Sequence, residues 1–86
     1  MTLSPSSVPR RRPGVEVEQV GDQAVMLDAS GTVARGLNAT AARVWGLIDG
    51  RRTVAQIAAE LQGEGDVEGD VLAFLAALLE RGLIVL

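Results

Sequence analysis

The chain has 86 residues, 48% of them hydrophobic but with one phenylalanine and one tryptophan as its only aromatics, and eight arginines, no lysine and 11 acids give a net charge of −3. That length supports one small domain with a core, and the negative balance argues against phosphate-backbone binding as the main activity. Cysteine and histidine are absent, which excludes disulfides and thiolate or imidazole metal sites, and no apolar run approaches the roughly 20 residues needed to span a bilayer.

Residues 1–13 hold Ser4-Pro5-Ser6-Ser7, Pro9, Arg10-Arg11-Arg12 and Pro13. This composition buries little and predicts a disordered tail. The three arginines suit an acidic partner or a nucleic-acid groove, but a solvated tail explains them as well. No signal-peptide apolar stretch is present, so a cytoplasmic location is expected.

From Gly14 the pattern turns to period two. Val15 and Val17 alternate with Glu16 and Glu18, which predicts a half-buried strand through Val20. Gly21-Asp22 fits a two-residue hairpin turn, Gln23 to Leu27 a second strand, and Asp28-Ala29-Ser30-Gly31 a second turn, with Asp28 placed to bond the local backbone. Thr32 to Leu37 is then a third strand, at the edge of an antiparallel meander. It has no proline, no lysine and one charge, few of the devices that keep an open edge from pairing with another chain. Either something covers that edge or a partner strand adds to it.

Asn38 is an N-cap for a helix from about Ala39 to Asp49, with Val44, Trp45, Leu47 and Ile48 on its inner face and Gly50 suited to a left-handed stop. Thr53 with Gln56 matches a capping box, and Val54, Ile57, Ala58 and Leu61 form one face of a second helix ending at Gln62-Gly63-Glu64-Gly65. Asp66, Glu68 and Asp70 favour the N-terminus of a third helix that runs to about Arg81 and stops at Gly82. Its apolar arc, Val67, Val71, Leu72, Phe74, Leu75, Leu78 and Leu79, spans about 160° at 100° per residue, more than one core face usually requires. Two readings follow: part of the arc meets a partner, or the sheet and the first two helices flank the helix on both sides. Leu83 to Leu86 is a short apolar end, either a terminal strand or a cover for the core.

The missing histidine, cysteine, lysine and tyrosine remove most general bases and nucleophiles, and Asp49, Glu60 and Glu80 show no converging spacing. Catalysis is not expected. Glu64, Asp66, Glu68, Gly69 and Asp70 imitate the start of an EF-hand loop, but Leu72 and Leu75 stand where oxygen ligands are required. Asn38-Ala39-Thr40 matches a glycosylation sequon, for which helix capping is the simpler account. No cofactor or metal is expected.

Taken in order, Leu37-Asn38-Ala39-Thr40-Ala41-Ala42, Trp45, Leu47, Asp49-Gly50, Thr53-Val54, Ile57-Ala58, Leu61, Asp70-Val71, Phe74-Leu75, Leu78 and Arg81-Gly82-Leu83 resemble the PqqD family. Those proteins are peptide chaperones, or precursor-recognition elements, for ribosomally made and modified peptides. The resemblance covers residues 14–86, taken as one peptide-recognition domain. It implies an α+β fold in which a three-stranded antiparallel sheet packs on a three-helix, winged-helix-like bundle.

It also implies a site, in which a precursor leader peptide adds as a strand beside the third strand and places side chains against the third helix. The matching residues are Thr32, Val33, Ala34, Arg35 and Gly36 on the strand, and Asp70, Val71, Phe74, Leu75 and Leu78 on the helix. The unguarded edge beside an apolar helix agrees with this on physical grounds, since β-augmentation combines backbone bonds with alternate side-chain pockets.

Trp45 and the Asp28 to Gly31 turn look like the stand-alone proteins of lasso-peptide pathways, which pass the precursor to a separate cysteine protease-like leader peptidase and then a cyclase. Chaperones of pyrroloquinoline-quinone synthesis, which deliver their precursor to a radical enzyme, usually carry Pro-Glu where this chain has Ala29-Ser30. The Gly63 to Gly65 link is also shorter than in many members. Two alternatives of other classes are a winged-helix DNA-binding regulator, which the lack of arginine on the second helix disfavours, and a homodimer pairing the same apolar surface.

Overall fold

A computed structural model describes residues 3–21, 23–61 and 67–86, except for the side chain of residue 67. Asp22 of the first hairpin turn, the Gln62-Gly63-Glu64-Gly65 helix stop, the short link it forms and Asp66 lie outside the described residues. So does the side-chain placement of Val67.

The elements in order are β1 (Arg10–Arg11), β2 (Glu16–Val20), β3 (Gln23–Leu27), β4 (Val33–Leu37), α1 (Ala39–Leu47), α2 (Val54–Glu60), α3 (Val67–Glu80) and β5 (Ile84–Val85). The three predicted strands form an antiparallel sheet in the order β2-β3-β4, and three helices follow, an α+β architecture. The sheet's inner face carries Ala24, Met26 and Leu37, buried with Val44, Trp45 and Ile48 of the α1 region, Val54, Ile57 and Ala58 of α2, and Val71, Leu75 and Leu78 of α3. No polar or charged residue is buried among those described, so packing of apolar side chains supplies the cohesion.

Local signals in the sequence produce the expected ends. The Asn38 side chain accepts the Ala41 N–H at 2.7 Å. Thr53 and Gln56 complete the reciprocal capping box at the start of α2. At the end of α3 the Gly82 N–H donates to the Leu79 carbonyl and the Leu83 N–H to that of Leu78, a Schellman arrangement that needs the positive φ of +72° at Gly82. The first helix departs from expectation. It ends at Leu47, with Ile48 already extended, its N–H donating to the Trp45 carbonyl and its side chain buried. Gly50 turns the following loop instead, where Asp49 accepts the N–H groups of Arg51 and Arg52.

The N-terminal segment corrects the expectation of a detached tail. Arg10 and Arg11 pair with Val85 and Ile84 in a second, two-stranded sheet, which makes the C-terminal end a strand, and Pro9 is fully buried. Upstream, the Val54 N–H donates to the Ser7 carbonyl and the Ala55 N–H to the Pro5 carbonyl. These are the first two helical donors of α2, which the capping box leaves unserved. Arg11 then lies over the Trp45 ring, 5.0 Å from its centroid, and donates to the Trp45 carbonyl at 2.7 Å.

The wide apolar arc of α3 is largely absorbed by this packing. Val71, Leu75 and Leu78 are buried, Leu72, Phe74 and Leu79 are half-buried, and the exposed positions Ala73 and Ala76 are small. Flanking cover thus explains most of the arc without a partner. Deleting residues 1–12 is expected to lower the urea midpoint by the equivalent of about 1–3 kcal/mol, the cost of unserved helix donors and lost packing. It should also shift Trp45 emission to longer wavelength, both read in one fluorescence titration.

Candidate functional site

The β3–β4 hairpin sets the open edge. The Gly31 N–H donates to the Asp28 carbonyl and the Asp28 N–H to the Thr32 carbonyl, each at 2.9 Å. This is a type I turn followed by a left-handed residue, and Gly31 supplies it at φ +83°. The Asp28 carboxylate fixes the loop by accepting the backbone N–H groups of Ser30 and Thr32 and the Ser30 hydroxyl. Those hydrogen bonds favour the ionised form and hold its pKa below the ordinary value.

Because the Thr32 carbonyl is already bonded to β3, the alternation of an antiparallel ladder turns the backbone N–H and C=O of Val33 outward. Its side chain is 60% exposed. Beyond Val33 the ladder is irregular: Leu27 pairs with Val33 and Met26 with Arg35, so Ala34 is an extra residue in β4. No residue type in β4 signals this bulge, and bulges at edges are one of the devices that limit uncontrolled pairing. The opposite edge, β2, is guarded by the exposed Glu16 and Glu18.

An open groove of about 590 Å³ separates β4 from α3, lined by Ala34 and Arg35 on the strand and by Ala77, Glu80 and Arg81 on the helix side. Arg35 lies directly across from the buried Met26, so its side chain leaves on the core-facing side. Its guanidinium rests over Phe74, 5.1 Å from the ring centroid. Arg81 reaches over from the end of α3 and donates from Nη1 to the Ala34 carbonyl at 2.7 Å. The two contacts hold strand and helix apart at a fixed spacing.

The strand residues singled out from the sequence, Thr32, Val33, Ala34, Arg35 and Gly36, form this edge or begin it. The helix residues divide. Asp70 is exposed and Phe74 half-buried under Arg35, whereas Val71, Leu75 and Leu78 are buried in the core and do not line the groove. The physical reason is rotation: the most apolar side of α3 faces the other helices and the sheet, and the groove lies one step around. The groove lining adds Ala77, Glu80 and Arg81, which the sequence had not singled out. The signal was the spacing of Asp70, Phe74, Ala77 and Arg81, which at four, three and four residues makes one stripe along the helix.

Among the described residues no group of three or more histidine, cysteine, aspartate or glutamate side chains is placed as a metal site. No helix among the described residues is long and apolar enough to cross a membrane. The arrangement offers a strand edge with free backbone groups beside a lined cleft, suited to binding an extended chain.

Residues 23–84 match the family model described as coenzyme PQQ synthesis protein D (PqqD). Two solved structures are similar over nearly the whole chain. One is lasso peptide synthetase B1 complexed with the leader peptide, 29% identical, covering 93% of this chain and 100% of that one, with a TM-score of 0.75. The other is TbiB1 in complex with the TbiA(beta) leader peptide, 27% identical, covering 87% and 93% of the two chains, with a TM-score of 0.71. A comparison with curated proteins gives no match.

The hairpin makes a pH-dependent contribution. Since the folded pKa of Asp28 is depressed, its stabilisation is complete above the ordinary value near 3.8 and fades as pH falls through the lower folded value. Amide exchange at Ser30 and Thr32 should therefore accelerate, relative to the helices, as the pH is lowered through that range. In Asp28→Ala the acceleration should be present at neutral pH and independent of acid.

Proposed function

The chain belongs to the PqqD family, and on that premise we propose that it is a non-catalytic binding protein that captures the leader segment of a ribosomally made precursor peptide. The leader adds as a strand along β4, beside the α3 groove. One observation carries the reading: β4 presents unpaired backbone groups next to a lined groove, in a chain similar over 93% of its length to a lasso peptide synthetase B1 that holds a leader peptide.

Backbone pairing to β4 supplies affinity that does not depend on sequence, and the groove selects side chains. The contacting residues in this reading are Thr32, Val33, Ala34, Arg35 and Gly36 together with Asp70, Phe74, Ala77, Glu80 and Arg81. Holding the leader raises the effective concentration of the attached precursor near a second protein. In the lasso-peptide class that recipient is a separate cysteine protease-like leader peptidase, with both partners in the cytoplasm.

The family description points to coenzyme PQQ synthesis, which favours, as a second reading, delivery of that cofactor's precursor peptide to a radical enzyme. The length and identity of the match to the lasso protein favour the first. DNA binding fits less well, because the exposed side of α2 presents Gln56 and Glu60 without a cation.

Titration with the leader peptide of the precursor encoded beside the gene is expected to saturate, with amide shifts concentrated on residues 32–36 and on α3 from Asp70 onward. A folded protein that shows no shifts there would sink the reading. Val33→Pro removes an outward-facing donor and leaves the domain folded. It should weaken binding at least about tenfold, because the leader loses a backbone bond and keeps an unserved carbonyl. Ala77→Trp, which fills the groove from a half-buried position, should give a similar loss by isothermal calorimetry with an unchanged melting temperature.

A further inference from the structure

Resting on the peptide-capture reading, we infer that the segment this groove accepts carries an acidic side chain, held between the guanidinium groups of Arg35 and Arg81. Both cations are fixed in place by contacts that leave donors to spare. Arg35 uses the face of its guanidinium on the Phe74 ring, and stacking of that kind keeps the N–H edge free for a carboxylate. Arg81 spends Nη1 on the Ala34 carbonyl, one of the five N–H donors a guanidinium carries. Among the described residues neither arginine is in an ion pair; the bridge that is present joins Arg52 and Asp49.

The lining makes room for such a group. Ala34 and Ala77 are too small to fill the space between the two arginines, and the groove's volume of about 590 Å³ accepts a side chain from above. A strand laid along β4 sends every second side chain towards α3. A carboxylate in that position receives charge-assisted hydrogen bonds from both walls. A lysine there meets two like charges, and an apolar residue leaves two guanidinium edges covered and unserved. Among the described residues, Glu80, exposed at the rim, supplies the carboxylate that lines the groove. It opposes an incoming acid, but one against two leaves the balance with the arginines.

The test pans the full chain against a displayed library of random peptides about 12 residues long, enough to cover β4 and its flanks. The binders expected are those whose amide shifts fall on Val33 to Gly36 and Phe74 to Arg81, with aspartate or glutamate enriched at one position. Replacing that acid by its amide in the tightest binder should cost roughly tenfold in affinity. The same replacement should cost less in Arg81→Gln than in the unaltered protein, because Arg35 alone then faces the acid. The peptide-side change needs no alteration of the protein, so misfolding of the variant does not blur the answer. Binders that map to the groove but show no acidic preference, or that tolerate the amide, overturn the inference and leave peptide capture standing. A library without groove binders overturns peptide capture itself, and the inference with it.

Discussion

A backbone N–H or C=O taken out of water has to find a partner, and in this short chain, which has no disulfide, the element ends are arranged around that demand. The N-terminal segment gives its own carbonyls to the first donors of α2. Asp28, Asn38 and Asp49 each turn a side chain onto nearby N–H groups, and Gly82 closes α3 by its backbone. The sheet's two edges are the exceptions: β2 carries exposed Glu16 and Glu18, while β4 turns its outward backbone groups towards the α3 groove.

Much of this was legible in the sequence, because the signals are local. A cap is read from a side chain and its position, so Asn38, the Thr53–Gln56 pair and the Asp28 loop could be assigned without knowing the fold. Period two gave the first strand, the tight turns after it marked the next two, and the apolar spacing gave the helices. The docking of the N-terminal segment was not legible, since its bonds to α2 use Ser7 and Pro5 carbonyls, which any residue possesses. Nor was the rotation of α3. The arc of Val71, Leu75 and Leu78 marks the side that seeks other apolar surface, and that side is the core. The groove is walled by Ala77 and Glu80 from the back of the helix and by Arg81 from its end, and nothing in those residues points to a groove until β4 is placed opposite. The bulge at Ala34 left no mark because its cause is register, not residue type.

Arginine serves this protein in a way that its net negative charge conceals. Helices end with exposed carbonyls and a partial negative charge, which cations relieve. Arg11 does so at the end of α1 while covering the Trp45 ring, and Arg12 approaches the Gly82 carbonyl just beyond α3. Arg81, from that same helix end, is turned across to the strand. A run that looked like a solvated basic tail is thus partly a set of helix terminators, and the cation at the end of α3 forms one wall of the groove.

The pairing of β1 with β5 puts Arg10 beside Val85, so the strand that follows the docked N-terminal residues and the strand that follows α3 run side by side, with backbones roughly 5 Å apart. On the same geometry, a short bridge between the two strands would let new ends be cut elsewhere. With such a bridge the β4 edge and the α3 groove keep their geometry while the chain ends move to another loop.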